Sequence, residues 1–265
     1  MWPPGGCDRI EDLMSSSAKW TVSFAIVIAL VALSYEWLDR PIAVYVHAEF
    51  HGVKTLPWLT FIPECLAVLA VVTFIVMGWR VAIGHHLSKF DSVLLVCGVS
   101  LTVGAAIKDQ LKLGFGRTWP ETWINGNPSL IRNNVYGFNP FHGGIGYASF
   151  PSGHTTMICA VASVLWICYP KFRTIYVLMV AAVAIGLIGA DYHFLSDVIA
   201  GGFLGISVGW MTVSFWERAE RVLRPTTAPV GPKGLVEGCG SIQSATGDTF
   251  ATPAVDHSGP HHTAH

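Results

Sequence analysis

Six long apolar stretches restrict the fold of this chain more than any other feature of its sequence. A membrane-spanning helix needs about 20 mostly apolar residues, and a soluble domain carries roughly 25% charged residues. Only 12% of the 265 residues here are charged. We therefore predict an all-α, polytopic membrane bundle of six transmembrane helices over residues 20–216. The stretches, of which the fourth and fifth are short, are Trp20–Leu38, Phe61–Trp79, Ser92–Leu111, Thr155–Tyr169, Ile175–Ala190 and Phe194–Trp216.

Basic residues at the ends of these stretches predict the orientation of the bundle. They lie between the second and third stretches, between the fourth and fifth, and after the sixth, at Arg80, Lys89, Lys171, Arg173, Arg218, Arg221 and Arg224. Because basic loops remain in the cytoplasm, both termini are predicted to be cytoplasmic, including an N-terminal segment over residues 1–19. The connections near 39–60, 112–153 and 191–197 then lie together on the opposite face.

The C-terminal residues 217–265 are predicted to form a disordered cytoplasmic tail, since their composition shifts to Pro, Gly, Thr, Ser and His. A solvated tail is a simpler interpretation of its histidines than a metal site; they are His257, His261, His262 and His265. The net charge of -1 gives no reason to expect nucleic-acid binding, and the six cysteines lack the spacing of a zinc cluster. The lack of charge-rich linkers favours a bacterial inner membrane.

His193 and Asp197 form the most informative pair of polar residues. On a helix, a spacing of four residues places two side chains on one face. The carboxylate can then hold one imidazole nitrogen and leave the other free as a nucleophile. The alternative is an interfacial histidine capped by an aspartate, but ionisable residues at membrane depth are usually functional.

The segment Pro151-Ser152-Gly153-His154 stands directly before the fourth apolar stretch. Serine is a preferred helix N-cap, and glycine lets the backbone approach a ligand closely. A helix N-terminus offers free N–H groups that bind phosphate, and a histidine on the first turn can protonate a leaving oxygen. An ordinary loop-to-helix junction is the alternative for this segment taken alone.

Lys112 and Arg117 lie at the outer end of the third stretch, where their cations can clamp phosphate oxygens. Two cations that extend into the lipid head-group zone are the alternative interpretation. Together with the two histidines, the carboxylate and the glycine turn, these cations make up the set of groups that phosphoryl transfer requires.

The order of these segments resembles the type 2 phosphatidic acid phosphatase (PAP2) family, whose pattern is K-x6-R-P, then P-S-G-H, then S-R-x5-H-x3-D. The resemblance covers about residues 90–210. It implies a helical bundle with an extracytoplasmic site and a reaction that needs no metal or other cofactor. It further implies that His193 attacks phosphorus and forms a phosphohistidine, that Asp197 orients His193, and that His154 is the general acid. Ser152 and the backbone of Gly153 would hold phosphate oxygens.

The chain departs from this pattern at both arginine positions. Trp119 stands six residues beyond Lys112 where the family has arginine, and Leu187 replaces the arginine before His193. Phosphoryl transfer depends on cations that stabilise the equatorial oxygens. We therefore expect Arg117 to replace the first arginine and Arg132 to replace the second.

The resemblance favours an integral-membrane lipid phosphatase, with a membrane lipid phosphate as substrate and the site facing the periplasm. The sequence does not select the lipid or the oligomeric state. A phosphotransferase that uses the same phosphohistidine and a non-catalytic lipid-binding protein are the alternatives. The loop over 118–147 is rich in aromatic and amide side chains, which suit either the membrane interface or recognition of a head group.

Overall fold

The computed structural model describes residues 9–223, with side chains from residue 17 to 222. The first eight residues and the predicted tail from residue 224 onward lie outside the described residues. Within the described residues the chain forms helices and loops with isolated bridges and no strand. The helices are α1 (Arg9–Leu33), α2 (Asp39–Phe50), α3 (Phe61–Ala82), α4 (Lys89–Phe115), α5 (Leu130–Asn133), α6 (Gly153–Cys168), α7 (Arg173–Gly189) and α8 (Leu195–Leu223).

Five helical segments of the described region are long and apolar enough to cross a membrane. They are Ser17–Phe50, Leu56–Ala82, Lys89–Phe115, Pro170–Gly189 and Leu195–Val222. The remaining predicted span, the fourth (Thr155–Tyr169), corresponds to α6, which is apolar but has only 16 residues. The all-helical membrane fold is thus confirmed, whereas only five of the six predicted spans have the length of a full crossing.

The first predicted span is longer than the sequence indicated. A π-helical turn over Ser34–Leu38 joins α1 to α2, so the predicted loop near 39–60 begins as three further turns of helix. Similarly, α8 continues to Leu223, which corrects the prediction that the disordered tail begins at residue 217. The extension of the first span matters for the site, because it carries Asp39 inward to a fully buried position.

A glycine ridge on α8 packs directly against α6. A Cβ atom at Gly205 would lie 2.3 Å from the carbonyl oxygen of Thr156, and one at Gly201 would lie 2.5 Å from that of Ser152. No larger residue fits at these distances. The close helix-packing face expected from the spacing Gly201-x3-Gly205-x3-Gly209 is therefore confirmed, and it holds the start of α8 against the start of α6.

Gly116 ends α4 in the left-handed conformation (φ 58°). A Cβ atom there would lie 1.8 Å from the carbonyl oxygen of Asn139, so only glycine allows the chain to turn at this point. The turn sends Arg117 into the protein interior, where its relative exposure is 0%.

Candidate active site

The second and third motifs meet at one end of the bundle. The backbone N–H of Ser152 donates to the carbonyl oxygen of Asp197 at 3.1 Å. Ser149, three residues upstream, donates its hydroxyl to Asp197 Oδ2 at 2.5 Å. These bonds join the start of α6 to the start of α8, so His154 and His193 come from two neighbouring helix N-termini.

His193 lies just before α8 and is 5% exposed. Its Nδ1 atom is 3.4 Å from Asp197 Oδ2 and 3.4 Å from the Ser149 hydroxyl. Its Nε2 atom has no hydrogen-bond partner among the described residues. Burial lowers the pKa of His193 to about 4, although Asp197 acts in the opposite direction. The imidazole is therefore neutral at neutral pH, with one nitrogen held beside a carboxylate and the other free.

Arg117 contacts the far side of the same carboxylate. One of its Nη atoms donates to Asp197 Oδ1 and to the hydroxyl of Ser196, the latter at 2.5 Å. The other donates to Asp39 Oδ2 at 2.6 Å. Burial alone would lower the pKa of Arg117, but Asp197 and Asp39 outweigh it and hold the pKa above its ordinary value. The guanidinium stays charged, and each of its two Nη atoms is paired with a carboxylate.

This geometry corrects the prediction that Arg117 binds phosphate. Both ends of its guanidinium are occupied by buried carboxylates, and the ring of Phe194 lies 4.5 Å from its Cζ atom. The side chain is therefore enclosed on the side of Asp197 that faces away from His193. We assign it to orienting Asp197, which in turn holds the imidazole.

Asp39 is the member of this network that sequence reasoning missed. It is 1% exposed, and its Oδ1 atom accepts the backbone N–H of Ser196 at 3.0 Å, while its Oδ2 atom accepts the Tyr136 hydroxyl at 3.3 Å. A signal was present in the sequence, because an acidic residue at the end of a membrane-length apolar run is costly unless it has a partner. Its partner, however, is 78 residues away.

Trp119 occupies the position beside His193 where the family pattern has arginine. Its ring lies 5.2 Å from the ring of His193, and its Nε1–H donates to the carbonyl oxygen of Ile145 at 2.9 Å. Leu187 is fully buried in an apolar cluster, and its carbonyl oxygen accepts the backbone N–H of His193 at 3.2 Å. Neither position brings a cation to the site.

Lys112 and Lys108 are two cations near the end of α4, one turn apart. Lys112 Nζ lies 5.8 Å from the centre of the Trp119 ring, and no carboxylate of the described residues lies within 4.0 Å of it. Lys108, which the sequence analysis did not select, forms an ion pair with Asp109. A Cβ atom at Gly153 would lie 2.9 Å from two carbons of the Lys108 side chain. The glycine therefore allows this lysine to lie across the start of α6.

The start of α6 combines a cap with unpaired donors. Ser152 is fully buried, and its Oγ accepts the Thr155 N–H at 3.5 Å and the Thr155 hydroxyl at 3.0 Å, so it caps the helix. The N–H of Thr156 is paired with the Ser152 carbonyl at 3.1 Å. This leaves the N–H groups of Gly153 and His154 without a backbone acceptor among the described residues, as expected for a helix start.

His154 and Arg132, two further predicted site residues, have different environments. His154 Nε2 lies 3.4 Å from Glu64 Oε1 on α3, and no sequence motif pointed to this carboxylate. Arg132 is exposed at the end of α5. No contact joins its side chain to His193, His154 or Lys112 among the described residues. The expectation that Arg132 replaces the second arginine has no support in this geometry.

Comparison with known families gives a match that includes the motif residues of this site. The sequence model of the PAP2 superfamily matches residues 93–221, from α4 to the end of α8. Over this segment the chain is similar to the PAP2 superfamily. The match includes all three motifs and confirms the resemblance inferred from them. The helices of this segment are apolar enough to form a membrane bundle, and the chain is an integral membrane protein.

Two curated relatives in Rhizobium share part of this segment. The chain is 28% identical over 107 residues to a lipid A 1-phosphatase of Rhizobium etli. The aligned segment covers 40% of this chain and 42% of the relative. It is 27% identical over 112 residues to a lipid A 1-phosphatase of Rhizobium johnstonii. This aligned segment covers 42% of this chain and 43% of the relative. The matches thus span less than half the length of each relative.

One similar solved structure is a transmembrane PAP2-type phosphatidylglycerolphosphate phosphatase from Bacillus subtilis. It is 18% identical to this chain, with a TM-score of 0.45, and the match covers 75% of this chain and 96% of that protein.

Proposed function

We propose that this protein is an integral-membrane lipid phosphatase, which hydrolyses a lipid phosphomonoester or diphosphate through a phosphohistidine intermediate. The observation that carries the proposal is the environment of His193. Its Nδ1 is held by Asp197, its ring is neutral, and its Nε2 has no hydrogen-bond partner among the described residues. The ring lies against Trp119, which Lys112 approaches from α4. A neutral imidazole oriented by a carboxylate is a nucleophile.

The reaction proceeds in two displacements. First, Nε2 of His193 attacks phosphorus; the N–P bond forms as the P–O bond to the lipid breaks, and His154 donates a proton to the leaving oxygen. Water then attacks the phosphohistidine and gives a proton to His154, the N–P bond breaks, and inorganic phosphate leaves. Lys112 and the free N–H groups at the start of α6 stabilise the phosphate oxygens.

An apolar groove beside the second motif supports a lipid substrate. It has a volume of about 720 Å³ and lies between α1, α4 and α8, and Phe150 and Pro151 also line it. Its walls are apolar side chains that include Val31, Leu111, Phe138, Phe203 and Leu204. Such a surface suits a hydrocarbon chain, and the two curated relatives are both named for phosphatase activity on lipid A.

The proposed site faces the periplasm of a bacterial inner membrane. The three motifs share one end of the bundle, and the basic residues that the positive-inside rule assigns to the cytoplasm lie at the ends of helices away from it. A cysteine introduced at the exposed loop residue Asn125 should react with a membrane-impermeant maleimide in intact spheroplasts, above the background of the unsubstituted chain. Labelling only after lysis would mean that the site faces the cytoplasm and would contradict the proposed orientation.

Phosphate release from a panel of lipids tests the activity. The panel contains phosphatidate, phosphatidylglycerol phosphate, a polyprenyl diphosphate and lipid A, each presented to the purified protein in detergent. We expect release from at least one lipid and a loss of at least about 10⁴-fold in His193→Ala, since removal of a nucleophile is among the most damaging active-site changes. His85→Ala, an exposed histidine between α3 and α4, is the matched control and should be unaffected.

Two other outcomes select the alternative functions. Turnover that requires an added lipid or sugar hydroxyl, without release of inorganic phosphate, would identify a phosphotransferase. No turnover of any lipid by a folded, monodisperse protein would contradict the enzyme and favour a lipid-binding role, with Trp119 and Leu187 as the substitutions that removed catalysis.

A further inference from the structure

A second cluster of polar side chains lies close to the candidate active site but outside it. His47 and His51 stand at the end of α2, Glu121 follows the Trp119-Pro120 pair, and Asp191 precedes His193 by two residues. Potential ligand atoms of the two histidines and Glu121 all lie within 4.8 Å of one another. His47 Nδ1 is 3.3 Å from Glu121 Oε2 and 2.9 Å from Asp191 Oδ2.

The protein groups in this cluster do not satisfy one another. The two carboxylates of Glu121 and Asp191 both face a single nitrogen of His47, and one N–H can donate to only one of them at full strength. No lysine or arginine of the described residues lies within 4.0 Å of either carboxylate. Two acidic groups thus converge where the described residues supply no fixed positive charge.

Asp191 gives an independent sign that a ligand is needed. The residue is 4% exposed, and its Oδ1 atom is buried without a hydrogen-bond partner among the described residues. A buried carboxylate oxygen left unpaired is costly. Its backbone is also held at a φ of 55°, a conformation that residues other than glycine rarely adopt. The aspartate is therefore buried with one carboxylate oxygen directed at no protein donor among the described residues.

We propose that His47, His51 and Glu121 bind a Zn²⁺ ion, with Asp191 as the fourth ligand. His47 lies on the last turn of α2 and His51 is the residue that caps it, so two histidines four residues apart, a spacing that zinc sites use, have their ring centres 4.4 Å apart. Imidazole nitrogens together with carboxylate oxygens suit zinc, whereas Mg²⁺ and Ca²⁺ prefer sites built from oxygen alone. A structural zinc site has four protein ligands, and Asp191, whose Oδ2 lies 2.9 Å from His47 Nδ1, is the carboxylate placed to complete the set of three.

The ion joins three parts of the chain that bear on the active site. It fixes the end of α2 to the segment that carries Trp119 and to the turn that carries His193. The four ligands make no contact with the ring of His193 among the described residues, so the ion is structural and the phosphoryl transfer itself stays metal-free. The zinc site stands independently of the proposed function, because its binding can be measured with no lipid present.

Zinc binding to the purified full-length chain in detergent tests the site. The protein is stripped with EDTA, titrated with Zn²⁺ against a chromophoric chelator, and its metal content is measured by mass spectrometry. We expect one tightly bound ion per chain. His51→Ala and Glu121→Gln should each weaken binding at least about 100-fold, since even outer-shell changes cost 10–100-fold. His142→Ala, an exposed loop histidine, is the matched control and should bind as the unsubstituted chain does.

The histidines of the C-terminal tail need a separate control. A chain in which His257, His261, His262 and His265 are all alanine should keep the tight ion. Since His51 is exposed, its variant should remain folded, and a rise in melting temperature with Zn²⁺ should be seen in the unsubstituted chain but be absent from His51→Ala. Tight binding that disappears with the tail histidines, or that persists in both His51→Ala and Glu121→Gln, would overturn the proposal.

Discussion

The two sides of the His193–Asp197 pair are built in opposite ways. Behind Asp197, Arg117 is 0% exposed and bonded to two carboxylates, and the hydroxyl of Ser196 also joins Asp39 to the same guanidinium. In front of His193, Lys112 has no carboxylate within 4.0 Å among the described residues, and the first N–H groups of α6 lack a protein acceptor. One side consists of charges already paired, and the other of donors without a fixed partner.

The paired groups behind Asp197 position the nucleophile, whereas the unpaired groups in front of His193 bind the phosphate. A buried ion network is costly to assemble, but it fixes its members once each has its partners. A group that must receive a substrate phosphate has to remain unpaired until the substrate arrives. The rear network therefore sets the geometry of the nucleophile, and the front surface receives the phosphate.

Removal of Arg117 should have the largest effect on the protein. Arg117→Leu leaves Asp39 and Asp197 buried without a cation, so the free energy of unfolding should fall by about 3–5 kcal/mol. Unfolding in mixed micelles of a mild detergent and dodecyl sulfate measures this change. Arg132→Leu, at an exposed arginine, is the control. If Arg117→Leu loses no more free energy of unfolding than the control, the network behind Asp197 does not have the stabilising role that distinguishes it from the surface in front of His193.

Lys112 should show the reverse behaviour. Lys112→Ala removes a cation from the front surface, so kcat should fall about 10²–10³-fold, as on removal of one stabilising donor, while the melting temperature stays close to that of the unsubstituted chain. Asp109→Asn, which changes an exposed charge on the next turn of α4, is the control. Equal losses of kcat in the two variants would mean that Lys112 acts only through the overall electrostatic potential of this surface and makes no direct contact with the phosphate.

The pH dependence of the reaction should reflect the burial of His193. Its pKa of about 4 means that the imidazole loses a proton well below neutrality. Activity should therefore be present above that pH and be lost as pH falls through it. Between pH 7 and pH 5, kcat/KM should fall less than about twofold, because about nine-tenths of the ring is still neutral at pH 5. The titration of the substrate phosphate is followed separately by phosphorus NMR, and a midpoint near the ordinary histidine pKa would contradict the assignment.

Arg132 should have the smallest effect. Because its exposed side chain makes no contact with the site among the described residues, Arg132→Ala should change turnover by less than about twofold, as is usual for surface substitutions. The measurement is phosphate release from the best lipid of the panel. A large loss of turnover with an unchanged melting temperature would return Arg132 to the role expected from the sequence.

Much of the fold could be read from the sequence because its causes are local. Apolar runs determine where helices lie, and the glycine spacing on α8 determines which face packs closely. The pairing of His193 with Asp197 was also accessible, since only four residues separate them. His193 itself lies just before α8, so the pairing depends on a turn at the helix start and not on regular helical geometry.

The role of Arg117 could not be read in this way. From its place near Lys112 it resembles a phosphate ligand, and the direction of its side chain depends on the left-handed turn at Gly116 and on Asp39, which is far away in the sequence. The contact between Glu64 and His154 could not be read from the sequence either, because the two residues lie 90 positions apart. Long-range pairs of charged residues leave no local pattern, so the sequence could identify the charged residues but not their partners.

The most direct test of the account is to look for the covalent intermediate on His193. The protein is mixed with a lipid carrying radiolabelled phosphate, quenched within one turnover in alkali, and separated from lipid. The expected result is protein-bound label that is stable in alkali, is released by acid as phosphohistidine requires, and is absent from His193→Ala. Phosphate release without any trapped label, or label that persists in His193→Ala, would contradict it.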